Sequence, residues 1–192
     1  ARRRDLPGVE GHRAGERAVQ TVIRQAGQRG VDVVTLFGRT GGTPPKERHI
    51  SRQEYRARDL PRQARKLGME FNLQPAHWPT NQAPSAYAII AAQNAGGGDL
   101  GGLVHGLMRA CFVDQKDIAD DAVIRDCLSA ARFDPSLADS GLLTGAETYA
   151  ANLEEAVAVG AFGSPFYITD TDQRFWGQDK LEDLDLVLAG KL

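Results

Sequence analysis

The sequence predicts an α/β chain in which strand-bearing ends flank a long run of helices. Three observations carry this. VDVVTLF at 31–37 is rich in β-branched residues and reads as a short strand. Near the C-terminus, FYITD and QRFW are two short aromatic runs separated by a turn near Thr171–Asp172. Between these ends lie capped segments of helical period with no strand pattern.

Taken in order, residues 12–28 place Val19, Val22, Ile23 and Ala26 at helical spacing and predict an amphipathic helix. The strand at 31–37 follows, then GRTGGTPP at 38–45 as a loop. Ser51 and Glu54 have capping-box spacing and open a helix whose face continues through Tyr55, Ala64 and Leu67 to a stop at Gly68. Pro61 is expected to kink or divide that helix. FNLQPAHWPTNQAP at 71–84 holds three prolines and reads as irregular, before an Ala-rich helix at 85–95. Asp99 is placed to cap a helix carrying Leu103, Leu107 and Cys111, and Asp120 one carrying Val123, Ile124, Cys127 and Leu128. Thr144 and Glu147 form a second capping-box pattern for a helix ending at Gly160. The last helix starts near Gln178, with Leu181, Leu184 and Leu188 as its apolar stripe.

Composition narrows the function classes. The 192 residues are 42% apolar, enough for a globular core, and the formal net charge of −2 gives no general attraction to nucleic acid. No apolar run approaches the roughly 18 residues of a membrane span, and no secretory leader pattern is present. Cys111 and Cys127 are too far apart for a C-x-x-C pair and fall on apolar helix faces, which predicts buried, inert thiols in a reduced, cytoplasmic protein. His49, His77 and His105 show no metal-ligand spacing, so no metal is expected.

The most informative stretch is GSPFYITDTDQRFWGQDKLEDL. Gly163 frees the backbone, while Pro165 fixes its own φ, holds Ser164 extended and removes one amide donor. That combination suits the start of a strand, especially with a cis Ser164–Pro165 bond.

These residues resemble the C-terminal half of the thioredoxin-like, DsbA-type branch. Within it they are most similar to 2-hydroxychromene-2-carboxylate isomerases and kappa-class glutathione transferases, which carry G-[VS]-P-x-[FM] and W-G-x-D-R-[LM] in this order. TGGTPPKERHISRQEYRARDLPRQARKLG and PAHWPTNQAPSAYAIIAAQ extend the similarity to roughly residues 38–192. The resemblance implies a thioredoxin-like domain from residues 1–43 and 151–192, interrupted by a helical insertion at 44–150. It also implies a glutathione-dependent isomerase acting on an aromatic-degradation intermediate, with a kappa-type transferase or a non-catalytic binding protein as the alternatives. A DsbA-like disulfide oxidoreductase would need the C-x-x-C that this sequence lacks.

The resemblance also assigns residues. Ser164 and Pro165 would hold the cysteinyl backbone of glutathione by β-like hydrogen bonds. Gln178 begins a helix whose free amides attract a carboxylate, Asp179 would pair with the γ-glutamyl ammonium, Gly177 permits close approach and Trp176 walls the site. Lys46 and Arg48 would pair with the carboxylate of a small aromatic substrate, or could equally be solvated loop charges, and Trp78 and Asn81 would face the same substrate. Trp78 could equally be packing, and Asn81 could equally begin a helix. The resembling families are commonly dimeric, so a homodimer is a further expectation. Their thiolate-stabilising S-P-[YFW] motif near the first helix has no counterpart, because residues 1–36 contain seven Arg and no Ser, Cys, Tyr, Trp or Phe. The catalytic residue is therefore unassigned. A chain beginning close to the first helix, a different reading frame before Leu36, and diverged chemistry are three open accounts of that segment.

Overall fold

A computed structural model describes residues 29–192. The helix expected at 12–28 lies outside the described residues. The described chain divides into two compact units, residues 29–160 and residues 161–192.

The first unit is helical. It contains α1 (Val33–Thr40), α2 (Ile50–Leu67), α3 (Ala83–Ala95), α4 (Leu100–Phe112), α5 (Asp121–Ala130), the single turn α6 (Leu137–Ser140) and α7 (Leu142–Ala158). Helix α3 lies at its centre, packed against α4, α5, α6 and α7. Ala88 and Ala92 of α3 meet Leu103 and Leu107 of α4 and Ile124 and Leu128 of α5, with Ala131 and Phe133 closing the cluster. Small residues let α3 and α7 approach closely. A Cβ on Gly145 would lie 2.8 Å from the Tyr87 carbonyl oxygen, and one on Gly141 2.2 Å from the Ala91 Cβ.

The segment expected as a strand, 31–37, is instead the cap and most of α1. Asp32 accepts from the amides of Val34 and Thr35 at 3.0 and 3.1 Å and from the Thr35 hydroxyl at 2.8 Å. Gly41, at φ 78°, ends the helix in the left-handed region. This helix also takes Gly38–Thr40 from the expected loop. Leu36 is buried, and Arg39 pairs with Glu154 on α7. A local cap and a neighbouring helix thus outweigh the weak strand preference of Val and Thr.

Three other local expectations are corrected. His49, not Ser51, caps α2: its Nδ1 accepts from the Ser51 amide at 3.3 Å and lies 2.7 Å from the Ser51 hydroxyl. Pro61 does not divide α2, which is one helix of 18 residues. The carbonyl that Pro61 leaves without its helical partner belongs to Ala57, an exposed residue, so solvent can serve it. Thr144 is no cap either, because α7 starts at Leu142 behind Gly141.

The remaining caps are as read. Asp99 accepts from Gly102 N at 2.9 Å, and Asp120 from Ala122 N at 2.8 Å. Gly68, at φ 65°, closes α2 with bonds from its own amide to the Arg65 carbonyl and from the Met69 amide to the Ala64 carbonyl, a Schellman closure. Cys111 is buried and Cys127 half-buried, both as free thiols, and burial raises the pKa of each.

The second unit holds the only described sheet. Strands β1 (Phe166–Ile168) and β2 (Arg174–Trp176) pair antiparallel, with Phe166 opposite Trp176 and Ile168 opposite Arg174. The turn between them uses Asp172 at φ 61°, and its carboxylate is gripped by Arg174. A 3-10 turn (Gln178–Lys180) then leads into α8 (Leu181–Leu188), so the α-helix proper begins three residues later than expected.

Candidate functional site

The second unit gathers six of the residues singled out from the sequence. Gly163 is buried because Trp176 lies over it: a Cβ there would meet the indole Nε1 at 2.3 Å. The Ser164–Pro165 peptide bond is cis. Ser164 is exposed and lies outside the β1–β2 register, and among the described residues its amide and carbonyl join no backbone pair. The neighbouring Pro165 carbonyl accepts from Gly177 N at 3.0 Å, one bond beyond the strand pair. That bond ties the Ser-Pro turn to the Gly177–Asp179 turn.

Gly177 stands at φ 99° and ψ 159°, a conformation open to glycine and costly for other residues. A Cβ at Gly177 would lie 2.5 Å from Asp179 Oδ1, so the carboxylate folds back over this glycine. Among the described residues Asp179 has no ion-pair partner, whereas the adjacent Lys180 reaches Asp183 at 3.3 Å. Trp176 is 54% exposed and meets the Phe162 ring edge-on at a centroid distance of 5.1 Å. Phe162 in turn meets Phe166 at 5.0 Å. The sequence reading missed Phe162; its only signal was an aromatic residue directly before the Gly-Ser-Pro turn.

The Ser164 backbone offers one donor and one acceptor, the pairing surface that an added strand uses. The close approach that Gly177 permits is made by the Asp179 carboxylate itself, which offers a negative charge to an ammonium, and Trp176 presents an exposed aromatic face.

The other four residues lie on the helical unit. Lys46 is exposed in a 3-10 turn (Pro45–Glu47), where its carbonyl accepts from Gln53 Nε2 at 3.1 Å. Arg48 donates from Nε to the Thr43 carbonyl at 2.8 Å, with its guanidinium 5.8 Å from the Phe37 ring centroid. Trp78 is 49% exposed and packs 5.3 Å from Phe112, which stacks in turn on Phe71. Asn81 Oδ1 accepts from Ala83 N at 3.1 Å, at the start of α3. His49, His77 and His105 are all exposed, and no cluster of potential metal ligands occurs among the described residues.

The fold and this turn define the class. A family model described as the DSBA-like thioredoxin domain matches residues 17–189, and the chain belongs to that family. Among solved structures, the chain is similar to a selenomethionine form of 2-hydroxychromene-2-carboxylate isomerase, with a TM-score of 0.69 and 16% identity. That match covers 93% of this chain and 88% of the other. At that identity the likeness is one of fold. No curated protein matches the chain.

Proposed function

We propose that this protein binds glutathione at the β1–β2 hairpin and is a glutathione-dependent isomerase of the 2-hydroxychromene-2-carboxylate type. One observation carries the reading. Ser164, an exposed residue whose amide and carbonyl join no backbone pair among the described residues, and the Asp179 carboxylate belong to the two turns joined by a single hydrogen bond, from Gly177 N to the Pro165 carbonyl. A thiol tripeptide needs both a strand-like partner for its middle residue and an anion for its free amine. The fold likeness to an isomerase supports the same direction.

Bound glutathione would supply a thiolate that adds reversibly to a conjugated substrate and leaves again after bond rotation, so electrons balance without an oxidant. The protein's part is orientation. Ser164 holds the cysteinyl backbone, Asp179 holds the amine and Trp176 excludes water from one side. On the helical unit, Lys46 and Arg48 offer cations to a substrate carboxylate, while Trp78 and Asn81 offer an aromatic face and a carboxamide. A reducing, cytoplasmic setting belongs to the same proposal because it keeps glutathione as the thiol.

Calorimetric titration with reduced glutathione tests the binding claim. Asp179→Ala is expected to weaken affinity by about tenfold, the loss of one charge-assisted hydrogen bond. Ser164→Trp is expected to abolish binding by filling the turn. Affinity unchanged by both substitutions overturns the proposal. Turnover of the chromene acid, against conjugation of glutathione to an aromatic electrophile, separates an isomerase from a kappa-type transferase.

A further inference from the structure

Residues 46–69 hold eight Lys or Arg and three Asp or Glu, while the chain as a whole is slightly acidic. Helix α2 occupies most of this segment, and none of its residues is buried. Arg48, Ser51, Arg52, Tyr55, Arg56 and Asp59 line a groove of about 290 Å³ along the first half of the helix. Arg52 and Arg56 are one turn apart, about 6 Å along the axis. Their like charges repel and gain from a shared counter-charge.

The groove's basic wall is partly fixed in advance. Arg48 is held by the Thr43 carbonyl and the Phe37 ring, and among the described residues its terminal nitrogens make no hydrogen bond. Gln53 donates to the carbonyls of Lys46 at 3.1 Å and Arg48 at 2.7 Å, pinning the preceding loop to the helix. Among the described residues the one carboxylate lining the groove is Asp59, which already accepts from Arg62 at 2.9 Å and Gln63 at 3.4 Å. It therefore does little to neutralise the three arginines. Planar guanidinium forks suit oxyanions, and the Ser51 and Tyr55 hydroxyls add neutral donors.

We propose that this groove binds a small molecule carrying at least two anionic groups, phosphate or carboxylate, with Arg48, Arg52 and Arg56 as its ligands. The proposal shares Arg48 with the reading above but stands without it, because its test uses no glutathione. Pyrophosphate and citrate are titrated calorimetrically at low ionic strength into the full chain, and into Arg52→Gln and Arg56→Gln. Each substitution is expected to weaken binding about tenfold while circular dichroism stays unchanged. Arg58→Gln and Arg65→Gln remove the same charge from the same helix outside the groove, and are expected to change affinity by less than about twofold. Tighter pyrophosphate binding assigns the site to phosphates, and tighter citrate binding assigns it to polycarboxylates. No binding of either anion, or equal losses in all four variants, overturns the proposal, the latter by reducing it to diffuse attraction.

Discussion

Gly163 and Gly177 show what a single residue contributes to the hairpin site. The first admits the Trp176 ring and the second admits the Asp179 carboxylate, each into the space a side chain would fill. Asp117 makes the same point in electrostatics. Its carboxylate accepts from Ala119 N at 2.9 Å and from the Thr80 hydroxyl at 3.0 Å, with His77 nearby. These contacts, the backbone bond foremost, hold its pKa below the usual carboxylate value. The folded state thus keeps Asp117 ionised to lower pH than the unfolded chain does. The resulting stabilisation is present above the ordinary value of about 4 and is lost as pH falls through the depressed one. Urea unfolding between about pH 6 and pH 3 is expected to show stability falling with acidification, with a shallower fall in Asp117→Asn. Identical slopes in the two proteins would contradict this.

At the scale of elements, caps decide more than propensity. VDVVTLF has strand composition, yet Asp32 at one end and Gly41 at the other make a helix of its latter part. Asp32→Ala and Asp120→Ala are each expected to cost about 1 kcal/mol in chemical denaturation, since each leaves two first-turn amides without their acceptor. No loss in either variant would show that packing alone holds these helices. The caps at Asp99 and Asp120 were legible because an acidic residue directly precedes a helical apolar pattern. The cap at His49 was not, because a histidine ring rarely serves in place of a hydroxyl or carboxylate. Thr144 had the right spacing to Glu147 but the wrong surroundings, since the turn α6 delivers the chain to Gly141 first.

For the whole molecule, stability in the helical unit concentrates around α3. Leu103 and Leu128 are fully buried there, one on α4 and one on α5. Leu128→Ala is expected to cost about 2–5 kcal/mol, because neighbours from three helices cannot all collapse into the vacated space. Leu143→Ala, at an exposed site on α7, is expected to shift stability by less than about 0.5 kcal/mol. Equal effects from the two, measured by urea denaturation, would mean that this cluster is not the core. No helix among the described residues is long and apolar enough to cross a membrane.

The sequence by itself determined the helical run, most of its boundaries and the strand–turn–strand tail. Those features depend on periodicity, on cap residues and on a Gly-Ser-Pro signal that acts within a few positions. The pairing of Gly177 with Pro165, the lid of Trp176 over Gly163 and the burial of Leu36 were decided only in three dimensions. The same holds for the groove on α2, where individually ordinary arginines come to line one concavity, with Asp59 already engaged and Arg48 anchored. Hydrogen bonds and side-chain packing between residues distant along the chain depend on where the backbone returns, and no local pattern encodes that.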